Sequence, residues 1–122
     1  MSSADVKTNV TDLINQLDTA PESVSFEQVM QVISDNYNYT PTTFTNGDVA
    51  NEAGTNEGSC KIFYFAKLNA LTAEQTLACF AQYYREDVLK HPEATDHGNI
   101  RNFIKFGWDK VEFNSAALTP LV

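Results

Sequence analysis

The tripeptide Ser59-Cys60-Lys61 follows a polar run, residues 46–58, that carries three of the chain's five glycines and the asparagines Asn46, Asn51 and Asn56. A loop of this composition orders chain without burying apolar surface, which marks it as functional or as a flexible excursion. A helix starting at Ser59 would direct free N–H groups and its dipole at an anion and would activate a thiol in its first turn. The plainer alternative has Ser59 capping the helix, Cys60 packing inward and Lys61 in solvent. A nucleotide loop does not fit: Gly54 and Gly58 are four apart, and Lys61 does not follow Gly58 directly.

A thiol nucleophile needs a base held beside it. The two histidines are His91 and His97, and a Cys60–His97–Asp96 set would describe a cysteine-dependent hydrolase or transferase. In the competing reading Asp96 caps a helix and His97 is exposed in its first turn. Asp87 and His91 fall four apart on a helix face, near Glu86, Asp96 and His97, but two histidines without paired cysteines make a poor ligand set. No metal or other cofactor is expected. Cys79 and Arg85 share the spacing of a phosphotyrosine-phosphatase loop, yet the residues between them lack glycine and read as helix, so the match is accidental. Arg101 and Asn102 offer a last option. Arg101 pairs with a carboxylate such as Glu86 or Asp87, or with Asn102 it joins the asparagine-rich loop in a pocket for a carboxylate or phosphate. On that reading the ligand-binding residues are Asn51, Asn56, Ser59, Lys61, Asn99, Arg101 and Asn102.

These groups must be positioned by helices. Val6, Val10, Leu13, Ile14 and Leu17 recur at helical spacing and stop before Pro21. Ser25 with Gln28 predicts a capping box for a second helix striped by Phe26, Val29, Met30, Ile33 and Tyr37. Thr42 to Thr45, an Asn46-Gly47 turn and Asp48 to Ala50 read as a hairpin. Ile62, Phe63, Phe65, Ala66 and Leu68 occupy more than one face of a third helix, which should be the most central. Thr72 with Gln75 opens the longest helix, carrying Leu77, Phe80, Ala81, Tyr84 and Val88 up to His91-Pro92. A fifth, capped by Asp96, bears Ile100, Phe103, Ile104 and Trp108, with Gly107 ending it. Val111 to Phe113 alternates as a short strand, and residues 116–122 read as a loose end. The expected fold is therefore α+β and mainly helical: about five helices packed around one core with one small β-hairpin, a single domain spanning residues 1–122.

Eight Phe, five Tyr and Trp108 argue against disorder. A formal net charge of −8 points away from nucleic acid and anionic membranes. The N-terminus lacks the apolar stretch of a Sec signal, and no segment is long enough to span a bilayer. Two cysteines are too few for a disulfide framework and fit a reducing, cytoplasmic compartment.

Residues 51–63, with Asn51-Glu52-Ala53-Gly54 and Gly58-Ser59-Cys60-Lys61-Ile62-Phe63, then Glu74 to Phe80, Tyr83 to Val88, Thr95-Asp96-His97, Asn99 to Phe103 and Gly107-Trp108, together resemble the HopJ type III effector family over residues 10–113. The resemblance implies export by a type III secretion system. That family carries no established enzymatic activity, so the resemblance assigns no catalytic residue. The sequence supports a small acidic binding module with a polar pocket for an unknown small-molecule or protein partner, with the Cys60 enzyme as the alternative.

Overall fold

The structure, a computed structural model, describes residues 3–121, with side chains from residue 10 onward. Helix α1 (Ser3–Thr19) is followed by a 3-10 turn at Pro21–Ser23 and by α2 (Phe26–Asn36). Its interior face carries Leu13 and Leu17; the Val6 side chain lies outside the described residues. Ser25 and Gln28 form the expected capping box, with Gln28 N donating to Ser25 Oγ at 3.1 Å. This start aims Val29, Val32 and Ile33 at the core.

Two small antiparallel sheets follow, where one hairpin was expected. Strand β1 (Tyr37–Tyr39) pairs with the C-terminal β5 (Leu118–Pro120). The segment expected to be a loose end is therefore a sheet strand up to Pro120, because Ala117 and Leu118 are apolar residues the core buries and Thr40 N donates to Ala117 O at 2.8 Å; Val122 lies outside the described residues. The second sheet has the order β3-β2-β4, from β2 (Phe44–Asn46), β3 (Val49–Asn51) and β4 (Val111–Phe113). The hairpin exists, but its turn is Gly47-Asp48 and Asn46 belongs to the strand. Gly47 has φ +64° and a Cβ there would run into the Phe106 ring, so only glycine fits.

Helix α3 (Glu57–Leu68) is central as expected. Phe63 is fully buried and its ring meets those of Phe44, Phe80, Phe103 and Trp108 at centroid distances of 6.2, 5.4, 5.1 and 6.1 Å. Leu68, expected on a packing face, is 46% exposed at the helix end. The helix expected to be longest is broken. Helix α4 (Ala73–Ala78) opens on the predicted Thr72–Gln75 box, then Ala81 enters the left-handed region at φ 55°, and the chain resumes as a π-helical turn, Tyr83–Val88. The apolar period runs through this break unaltered, so it carries no mark of it. Arg85 holds the displaced turn by donating to Val24 O at 3.0 Å and Pro21 O at 3.4 Å. Helix α5 (Gly98–Phe106) ends at Gly107, φ 71°, and Trp108 falls in a separate 3-10 turn.

A buried amide network joins the hairpin to the starts of α3 and α5. Asn46, Asn51 and Asn99 are 0%, 1% and 6% exposed. Asn51 and Asn99 bond reciprocally: Asn51 Nδ2 donates to Asn99 Oδ1 at 3.1 Å, and Asn99 Nδ2 to Asn51 Oδ1 at 2.9 Å. Asn46 Nδ2 donates to Asn99 O at 2.7 Å, and Asn56 Nδ2 donates to Asn51 Oδ1 at 2.7 Å. Buried amides stay favourable only while paired, so this set pins three segments together. It also explains the hairpin's extent, since Asn46 and Asn51 are drawn inward at its strand ends.

Cys60 and Cys79 are both buried and free. Cys60 does not occupy a first-turn position, because α3 starts at Glu57 and Cys60 N already bonds Asn56 O at 3.0 Å. Its sulfur faces Thr42 O at 4.0 Å, and burial pushes the thiol above its usual range. Burial pushes Cys79 up to about 12. The Cys60–His97–Asp96 enzyme reading fails here: the thiol is 1% exposed and packed among core residues, and His97 is engaged elsewhere.

Asn51→Ala strips partners from Asn99 and Asn56 and should destabilise the protein by about 3 kcal/mol, whereas Asn38→Ala on exposed β1 should change stability by less than about 0.5 kcal/mol; urea unfolding of both variants checks this. Neither thiol should react with a disulfide reagent at neutral pH in the folded protein, and both should react at once in denaturant. A fast-reacting thiol in the folded state would contradict the burial.

Candidate functional site

Two helices begin on one cleft. Helices α3 and α5 both start from a residue in the left-handed region, Asn56 at φ 49° and His97 at φ 53°, and in neither does a side chain cap the helix. The reason is the same in both. Asn56 could accept a bond from its own first turn, but its amide is drawn to Asn51 at 2.7 Å. The His97 imidazole is drawn to Asp87, Nε2 to Oδ2 at 2.9 Å. Intrahelical bonding begins only with Cys60 N to Asn56 O and Arg101 N to His97 O, so the preceding N–H groups of both helices lack helical partners.

Those helix starts line a cleft of about 410 Å³, a volume typical of a small-molecule site. Asn56, Gly58 and Ser59 contribute one polar rim; His97, Gly98 and Asn99 contribute the other. Phe26, Phe80 and Tyr83 supply an apolar wall, and the rings of Phe26 and Tyr83 meet in a T-shape with centroids 4.9 Å apart. Gly58 lets α3 approach this wall, since a Cβ there would stand 3.0 Å from Phe26 Cζ. The break at Ala81 and the π-helical turn carry Tyr83 and Asp87 to the cleft side, where Tyr83 also lies against His97 with ring centroids 5.4 Å apart.

Of the residues expected to bind a ligand, Asn56, Ser59 and Asn99 line the cleft, and Asn51 supports them from beneath. The structure sends three elsewhere. Lys61 turns away, its Nζ 4.8 Å from the Tyr39 ring centroid, in a shallow groove along α2. Arg101 is tied to its own loop: Nη2 donates to Asp96 Oδ1 at 2.7 Å, Nε to Asp96 O at 2.6 Å and Nη1 to His91 O at 2.9 Å. Asn102 donates to Asn46 O at 2.9 Å and Asp48 Oδ1 at 2.8 Å. Asp96 does not cap α5; the Arg101 guanidinium instead holds its carboxyl below the usual carboxylate range. Polar atoms of Asp87, Asp96 and His97 lie within 4.8 Å of one another, but Arg101 and His97 already engage these carboxylates, which makes the set an ion-pair network. Two residues of the apolar wall, Phe26 and Phe80, sit in helical stripes that read as core.

Similarity to known proteins agrees with the resemblance read from the residues. The family model described as HopJ type III effector protein matches residues 10–118. The crystal structure of the unknown function protein VPA0580 superposes with a TM-score of 0.89 at 54% identity, covering 90% of this chain and 92% of that one. No curated protein matches the chain. Among the described residues no helix is long and apolar enough to cross a membrane. With a matched span that takes in the amide network, the cleft and most of the core, the chain belongs to the HopJ type III effector protein family.

Proposed function

We propose that the protein is a binding module whose ligand is a small molecule with a carboxylate or phosphate head and an apolar or aromatic body. The observation that supports this most is the convergence of two helix starts, neither closed by a side-chain cap, on one cleft. Unpaired N–H groups at the positive end of a helix favour an anionic acceptor. Phe26, Phe80 and Tyr83 would cover the ligand's apolar part. Export by a type III system belongs to the same proposal and is supported by the description of the matched family.

A panel of benzoate, inorganic phosphate and phenyl phosphate, screened by thermal denaturation, tests the reading. A ligand at about a hundred times its Kd contributes about 2.7 kcal/mol, which for a domain of this size raises Tm by on the order of 10 °C. Ser59→Trp fills the cleft and should abolish the shift, whereas Lys61→Ala, outside it, should keep it. No shift with any member of the panel, or an undiminished shift in Ser59→Trp, would overturn the proposal.

A further inference from the structure

His97 forms part of the cleft wall and is 30% exposed at its side chain. Its Nε2 lies 2.9 Å from Asp87 Oδ2 and 3.7 Å from Asp96 Oδ2. An ionised carboxylate only accepts hydrogen bonds, so Nε2 must carry a proton in both charge states of the ring. The ring's other nitrogen, Nδ1, has no hydrogen-bond partner among the described residues. A second proton on this imidazole therefore has only Nδ1 to occupy.

We propose that His97 determines the charge of ligand that the cleft accepts, its Nδ1 turning from a hydrogen-bond acceptor into a cationic donor as the pH falls. This rests on the ligand-binding reading of the cleft. The groups around the ring set the direction. Asp87 faces it from the π-helical turn, Asp96 from its own loop, and Arg101 from α5 through Asp96 Oδ1 at 2.7 Å. Tyr83 lies beside it with its ring tilted at 46° to the imidazole. Across the cleft α2 and α3 present Phe26, Asn56, Gly58 and Ser59, which carry no charge. Nearby Glu86 is paired with Lys90 at 2.8 Å. Two carboxylates and one guanidinium give the cluster around the ring a net −1 with a neutral imidazole, and 0 when the ring is protonated. Protonation thus removes the charge that opposes an anion and adds a donor for it. At higher pH, Nδ1 accepts, and the wall favours a ligand that donates.

The experiment has a ligand-free arm and a ligand arm. Long-range ¹H–¹⁵N spectra of the histidine side chains should show neutral His97 as the Nε2–H tautomer, with the large ¹⁵N change on titration at Nδ1. The Nδ1–H tautomer would overturn the proposal. Benzoate is then titrated at about pH 5.5 and about pH 8, a span in which imidazole is the side chain that ordinarily changes charge. Wild type should bind about tenfold more tightly at the lower pH. His97→Gln, which keeps a neutral amide donor for Asp87, should bind with one affinity at both. Equal wild-type affinities, or an unaltered pH dependence in His97→Gln, would overturn the role of His97 and leave the cleft as a ligand site. Absence of benzoate binding at both pH values would overturn this inference, and the anion reading on which it rests would fall with it if inorganic phosphate and phenyl phosphate also failed to bind.

Discussion

The reciprocal amide pair between Asn51 and Asn99 holds the hairpin, the start of α3 and the start of α5 in one register. Each partner is almost fully buried, so neither amide can exchange its protein partner for water. Asn56 joins through Asn51, and Asn46 joins through Asn99. One acceptor, Asn46 Oδ1, is left without a partner among the described residues. A buried polar atom of this kind opposes folding, and the rest of the network must offset it. An apolar core at these positions would avoid that penalty but would not orient two helix starts toward the same space.

That orientation depends on diverting the residues that would otherwise cap the helices. Asn56 is turned toward Asn51 and His97 toward Asp87, and both adopt left-handed backbone. Left-handed backbone is uncommon for a residue with a Cβ, and Asn and His are among the side chains that tolerate it best. Local strain and uncapped N–H groups at one place are the conflicts with local preference that functional sites carry. The break at Ala81 belongs to the same pattern, since it redirects the chain so that Tyr83 reaches the cleft and Asp87 reaches His97.

Features governed by a few neighbouring residues were legible in the sequence. The boxes at Ser25 and Thr72 are present, Gly107 closes α5, and the many-sided apolar pattern of α3 makes it the centre of the aromatic core. Features governed by distant partners were not. Ser59 reads as a cap, yet the cap position falls three residues earlier, at Asn56, which is fixed from the hairpin. The Tyr84 and Val88 stripe ran on from Leu77 without marking the left-handed Ala81 between them. Residues 116–120 lacked a strand signal because β5 is only three residues long and its partner is some eighty residues away. Cys60, which follows the polar loop, is core, whereas Asn56 of the loop lines the cleft. The asparagines shape the cleft while the cysteine does not.

Exchange of the side-chain amide protons tests most directly whether the buried network organises the cleft. The Nδ2 protons of Asn46, Asn51 and Asn99, followed by NMR in D₂O, should exchange on the slow timescale of core backbone amides such as that of Phe63. Exchange as fast as that of the exposed Asn38 amide would show that water reaches the network, and would contradict the account.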